Sequence, residues 1–240
     1  MLKDNLGKYS VFGGKFKIID KGSEKLIIKE VVLTAVAGSF KDIVQSFILE
    51  YIKSMKEAEI PLPNLKDYFI KGKKLVFICE YKGSNIIQST KGLEPSHLVT
   101  VNLDKTKQML DIIRLAQKAG IFFDPHIKNF VIGENGKVYY VDFSPPYLRK
   151  YMELRLKLAD ESEKEIIKKN FDYFSPKEIG YHFAGDLLKI DKRYIQIMPQ
   201  LYELLKEKNI IMSTYSDFLK KANLIKDIEL TRDKRKISLI

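Results

Sequence analysis

Asp124-Pro125-His126-Ile127-Lys128-Asn129, followed after a short interval by Val141-Asp142-Phe143, is the part of this chain from which the rest is read. Between the two runs, Phe130-Val131-Ile132 and Val138-Tyr139-Tyr140-Val141 have the β-branched and aromatic content of strands, and Gly133-Glu134-Asn135-Gly136 supplies a turn. A hairpin of that length returns the chain on itself, which places Asn129 and Asp142 at the same end. The segment before it, from about Asp104 to Ala119, carries Met109, Ile112, Ile113, Ala116 and Ala119 on one helical stripe and stops at Gly120. The expected order is therefore helix, loop, hairpin, acid.

An acid, an amide five positions later and a second acid at a strand end match the needs of phosphoryl transfer. That reaction uses a carboxylate to orient the attacking hydroxyl and oxygen ligands to hold magnesium against the donor phosphates. Asp124 would supply the first, and Asn129 with Asp142 the second. Asp and Asn also serve loops as turn and capping residues, so it is the conjunction with helix, hairpin and Val141-Asp142-Phe143 that carries the reading. His126 has a rival role as a transition-metal ligand, because imidazole and carboxylate both bind zinc. The chain has three histidines, and neither His97 nor His182 sits in a ligand-spaced motif, so His126 is read as shaping the loop or facing the substrate.

The form D-x-H-x-x-N, here Asp124, His126 and Asn129, resembles the catalytic centre of the protein-kinase-like superfamily. Its small-molecule branch, the aminoglycoside phosphotransferases and choline kinases, is the closest in motif. The resemblance implies an α+β, bilobal fold with ATP and magnesium clamped between lobes. The N-lobe would be a small antiparallel β-sheet with one helix, and the C-lobe mostly helical. It also implies a strand lysine on the phosphates and a helix glutamate holding that lysine. Leu26-Ile27-Ile28-Lys29 resembles the V-A-I-K strand, which makes Lys29 the candidate, although Lys25 lies on the same strand face. The helix expected from near Ser39 is apolar at Phe40, Ile43, Val44, Phe47, Ile48, Tyr51, Ile52 and Met55, with Glu50 at the border of the stripe. Glu57 competes with Glu50 for the lysine.

Two further segments fit the same family. Lys74-Leu75-Val76-Phe77-Ile78-Cys79-Glu80-Tyr81 reads as a buried strand, and with Lys82-Gly83 it resembles the hinge that binds adenine through its backbone, so Glu80 and Lys82 are nucleotide-side candidates. Near the start, Tyr9 to Phe12 and Lys15 to Ile19 read as a hairpin turning at Gly13-Gly14, where backbone N–H groups can approach phosphates unobstructed. The expected organisation is a nucleotide-clamping N-lobe over 1–81, a crossing at 82–85, and a helical C-lobe over 86–240 with the acceptor site.

Several departures from the family bear on activity. The glycine-rich loop is reduced to Gly13-Gly14, and Phe122-Phe123 stands where His-Arg or His-Gly usually precedes the catalytic acid. Ser144 replaces the glycine of a D-F-G triplet, and Pro145-Pro146 follows at once. No Ala-Pro-Glu motif and no room for a long activation segment follow, so switching by activation-loop phosphorylation is not expected.

Composition sets the outer limits. With 240 residues and 45% hydrophobic content the chain can bury a full core. A lone cysteine, Cys79, excludes an internal disulfide framework and is read as a core residue. Met1 to Asn5 has no apolar signal region, and the apolar run near Val31 to Ala37 is too short to span a bilayer, so a cytoplasmic protein without membrane association is expected. There is no G-x-S-x-G elbow, and Gly7 to Lys15 misses P-loop spacing with Phe16 where a Ser or Thr must bind magnesium. The net charge of +11 is spread along the chain and suits an anionic substrate, with a protein or an RNA-associated partner as an alternative. The expected activity is transfer of phosphate to a hydroxyl, preferably of a small molecule. The alternatives are an atypical protein kinase, a non-catalytic nucleotide-binding scaffold, and a basic RNA-binding protein.

Overall fold

The computed structural model describes residues 15–20, 22, 24–32, 41–72, 74–85, 103–143, 156–157, 161, 164 and 174–237. Strand β1 (Lys15–Asp20) pairs antiparallel with β2 (Lys25–Val32). Helix α1 (Lys41–Glu57) follows, then β3 (Leu65–Lys71) and β4 (Lys74–Glu80). Among the described residues these strands form one antiparallel sheet in the order β1-β2-β4-β3. Of the two inner strands, β2 and β4, β4 packs Leu75, Phe77 and Cys79 into the apolar cluster, and Val76 is buried as well.

Beyond β4, the segment 82–85 expected as the crossing contains a strand, β5 (Gly83–Asn85), which pairs with β6 (Phe130–Gly133). β6 pairs in turn with β7 (Val138–Tyr140), closing the hairpin read from the sequence. Gly83 permits this: its φ is +152°, and a Cβ there would sit 1.8 Å from the Ile132 carbonyl oxygen, so only glycine fits the approach. Helix α2 (Leu103–Lys118) buries Met109, Ile112, Ile113 and Ala116 as its stripe demands; Ala119 lies past the helix end and is exposed.

The remaining described elements are helical. They comprise α3 (Ile179–Ile190), a 3₁₀ segment (Lys192–Ile197), α4 (Met198–Glu207) and α5 (Tyr215–Ile237). Pro199 sits in the first turn of α4, where its missing N–H leaves no helical bond unmade. One apolar cluster runs from Ile48, Tyr51, Ile52 and Met55 on α1 through Phe77 and Cys79 on β4 to α2, α3, α4 and α5. The chain is thus α+β, an antiparallel sheet with one helix joined to a mostly helical part, an arrangement compatible with a bilobal kinase-like fold. No helix among the described residues is long and apolar enough to cross a membrane.

Candidate active site

The loop 121–126 and the 3₁₀ turn Ile127–Asn129 carry the first three expected residues. Asp124 precedes a proline, which biases it away from helix and starts the loop in an open conformation. Asp124, His126 and Asn129 are all buried. The backbone of the loop is tied at several points. Asn129 N donates to the His126 carbonyl at 2.8 Å, the Asn129 side-chain amide donates to the Asp124 carbonyl at 3.2 Å, and the Tyr140 hydroxyl donates to that same carbonyl at 3.2 Å. Val141 N donates to the Asn129 carbonyl at 2.9 Å, which sets Asp142 beside Asn129 at the open end of the hairpin. The two carboxylates therefore belong to one locale.

Lys29 reaches the same locale from the sheet. Its register opposite Phe77 turns it inward, and its ammonium pairs with Asp142. Lys25, the competitor on β2, is exposed. The Lys29 and Asp142 side chains are 10% and 14% exposed, so the ion pair is shielded from solvent screening. Phe143, next in chain, packs on Phe77 with ring centroids 5.7 Å apart, anchoring the end of the hairpin to the sheet. Glu50 and Glu57 both lie on the exposed face of α1, whereas Tyr51, the neighbour of Glu50, is 1% exposed and lies within the electrostatic reach of Asp142 and Asp124. Burial pushes the phenols of Tyr51 and Tyr140 well up, so both stay neutral.

Glu80 and Lys82 flank the passage from β4 to β5 and pair with each other at 2.5 Å, with Lys82 5.0 Å over the ring of Tyr139. Gly13 and Gly14 lie outside the described residues, as do Ser144 and His97. Phe123, in the family's His-Arg place, is fully buried and stacks on Tyr140 at 4.1 Å. An apolar contact thus supports the loop there. Cys79 is buried, and burial pushes its thiol up to about 12, which removes it as a nucleophile at neutral pH.

Electrostatics divides the loop in two. Burial opposes ionisation of Asp124, yet the His126 imidazolium beside it, the hydrogen bonds from His126 and the charge of Lys128 hold its carboxyl well below the usual range. Burial likewise opposes charge on His126, but Asp124, Asp186 and Glu229 outweigh it and raise the imidazole to about 10. His126 Nδ1 and its backbone N both donate to Asp124 Oδ1. On its other side, His126 Nε2 lies 3.7 Å from Asp186 Oδ1 and 3.6 Å from Glu229 Oε2. Asp186 Oδ2 accepts the Ile127 N–H at 2.9 Å, and Lys189 stands 3.3 Å from Glu229. Asp186, Lys189, Glu229, Tyr51 and Tyr140 were not expected as site residues. No short motif marks them, because they converge from α3, α5, α1 and β7.

The donor set suits magnesium better than a softer metal. Among the described residues no three His, Cys, Asp or Glu converge on a metal position. Asn129 has its amide nitrogen committed to the Asp124 carbonyl, which leaves its Oδ1 to offer, and Asp142 already holds one cation, the Lys29 ammonium. One carboxylate and one amide oxygen, completed by phosphate oxygens, is the hard-ligand pattern that magnesium accepts. An open groove of about 620 Å³ along α5, lined by Tyr215, Leu219, Lys220, Leu224 and Asp227 among others, contains none of these groups.

No protein-family model matches the chain. No curated protein matches it either. Among solved structures, the chain is similar to "PpkA-294 apo form", with 11% identity, coverage of 92% of this chain and 99% of that one, and a TM-score of 0.49. A likeness that loose bears on neither activity nor substrate, so the functional reading rests on the geometry of the site itself.

Proposed function

We propose that this chain is an ATP- and magnesium-dependent phosphotransferase that acts on a hydroxyl acceptor, preferably a small molecule. The observation that supports it is the meeting of Lys29 with Asp142 beside Asn129 and the Asp124 loop. A cationic side chain, two acids and an amide from three separate segments share one partly enclosed locale.

Each residue then has a task. Asp124 is ionised, so its Oδ2 accepts a hydrogen bond from the acceptor hydroxyl and aims the oxygen lone pair at the γ-phosphorus. A carboxylate held so acidic is a poor base in the ground state, and it takes the proton only as the new O–P bond forms. The bond from the γ-phosphorus to its bridging oxygen breaks, and that oxygen leaves with ADP. Asn129 and Asp142 would hold magnesium, which when bound neutralises charge on the phosphates. Lys29 would bind the α- and β-phosphates, and its ion pair with Asp142 holds that carboxylate in place. Glu80 and Lys82, at the passage between β4 and β5, would border adenine.

The preference for a small acceptor rests on the D-x-H-x-x-N form, and a protein acceptor is the second choice. The reduced Gly13-Gly14 loop supports one rival, nucleotide binding without turnover, and the net charge of +11 supports a polyanionic partner. Transfer from labelled ATP, measured over a panel of hydroxyl compounds, distinguishes them. The parent should release or transfer phosphate, and Asp124→Ala and Asp142→Asn should lose it by about a hundredfold or more. Equal turnover in all three proteins would sink the proposal.

A further inference from the structure

We propose that Glu229 on the C-terminal helix is a positioning residue for Asp124, acting through His126 and held by Lys189, so that α5 is part of the transfer machinery. Its kinetic consequence rests on the phosphotransferase reading above.

The geometry begins with where α5 can go. Gly185 on α3 has no side chain, and a Cβ there would meet Ile225 Cγ2 at 2.6 Å and the Ala222 carbonyl oxygen at 2.9 Å. The two helices therefore touch backbone to side chain, and the neighbouring Asp186 and Lys189 face the same gap as Glu229. Most of the described α5 surface is exposed, yet Glu229 is 6% exposed. A buried carboxylate is retained only when paired. Its partners include Lys189 at 3.3 Å and His126 Nε2 at 3.6 Å.

The imidazole is consequently gripped from both ends. Nδ1 faces Asp124 Oδ1, and Nε2 faces Asp186 and Glu229. Asp186 is already committed through its second oxygen to the Ile127 N–H, which leaves Glu229 as the adjustable anion. Moving that anion tilts the ring and, through the Nδ1 hydrogen bond, the carboxylate whose other oxygen must meet the acceptor. Attachment of α5 alone does not call for this arrangement. Phe218, Ala222 and Ile225 are buried in the core, and Lys221 makes an outer ion pair with Glu178 at 2.9 Å.

The test compares full-length parent, Glu229→Gln, Glu229→Asp, Lys189→Gln and Glu178→Gln, each checked for folding by near-UV circular dichroism. Magnesium-ATP-dependent transfer is measured, together with the Nδ1–H proton signal of His126 in protein labelled with ¹⁵N-histidine. Glu229→Gln should lower kcat about ten- to hundredfold with little change in KM for ATP, because geometry at the reacting oxygen is lost while nucleotide contacts remain. Glu229→Asp should recover part of that loss, Lys189→Gln should give a smaller loss of the same kind, and Glu178→Gln should behave as parent. The His126 signal should move in Glu229→Gln and stay in Glu178→Gln. Parental kcat in folded Glu229→Gln overturns the proposal; if that variant does not fold, parental kcat in Lys189→Gln does so. If parent and Asp124→Ala turn over alike, the phosphotransferase reading is what has failed, and an unmoved His126 signal in Glu229→Gln then removes the positional claim as well.

Discussion

Lys29 and Asp142 illustrate how much of this protein depends on a few paired charges. A shielded ion pair that loses one member leaves the other buried without that countercharge, at about 3 kcal/mol. Lys29→Met should therefore lower stability by roughly that amount in urea unfolding, and Lys29→Met/Asp142→Asn should recover most of it. Strict additivity of the two single changes would show that the pair does not form. His126 gives a pH signature. Its folded-state value of about 10 exceeds the ordinary 6.5, so its contribution is fully present below pH 6.5 and is lost as pH rises through 10. Asp124 has the opposite sign, contributing above its ordinary 3.8 and losing that contribution as pH falls. Thermal stability of the parent should decline from pH 6.5 towards 10, and His126→Gln should flatten that limb; a parental slope in the variant would contradict the assignment.

Two close approaches govern how the strands and helices meet. At Gly185 an added methyl gains helix propensity of about 1 kcal/mol but must displace the Ala222 backbone of α5, and overpacking of that sort costs about 1–3 kcal/mol. Gly185→Ala should therefore be net destabilising in thermal unfolding, by about 1 kcal/mol. A melting temperature above the parent's would mean the helices do not pack as described. Gly83→Ala should be worse, because its Cβ would overlap a carbonyl that belongs to the β5–β6 ladder. Its loss should show as faster amide exchange in β5 and β6. At Gly83 backbone opposes backbone; at Gly185 a new rotamer of Ile225 would still leave its Cβ and the Ala222 carbonyl oxygen 2.9 Å from the added methyl.

The protein as a whole joins a sheet and a helical half through one apolar cluster, with the candidate site at their junction. A ligand that binds both halves adds its binding free energy to folding. Magnesium-ATP at a hundred times its dissociation constant should stabilise the parent by about 2.7 kcal/mol. Asp142→Asn should lose the magnesium-dependent part of that gain and keep the fold, as read by differential scanning calorimetry with and without chelator. A magnesium-dependent shift that survives in Asp142→Asn would place the cation elsewhere.

The local elements around the site were legible in the sequence because their cause is local. Apolar spacing set α2, the strand-turn-strand pattern set the β6–β7 hairpin, and together they put Asn129 and Asp142 at one end. The V-A-I-K-like run marked Lys29, although only the tertiary structure separated it from Lys25 on the same strand face: Lys29 lies opposite the buried Phe77, whereas Lys25 opens the strand outside the β2–β4 ladder and is exposed. The expected crossing at 82–85 proved to hold a strand, since a three-residue pairing is made by its partner β6 and leaves no period to read. Asp186, Lys189 and Glu229 were illegible for the same reason. Glu229 continues the buried Phe218, Ala222 and Ile225 stripe of α5, but its meeting with Lys189 and His126 is made by the packing of α3 against α5, which no local spacing encodes.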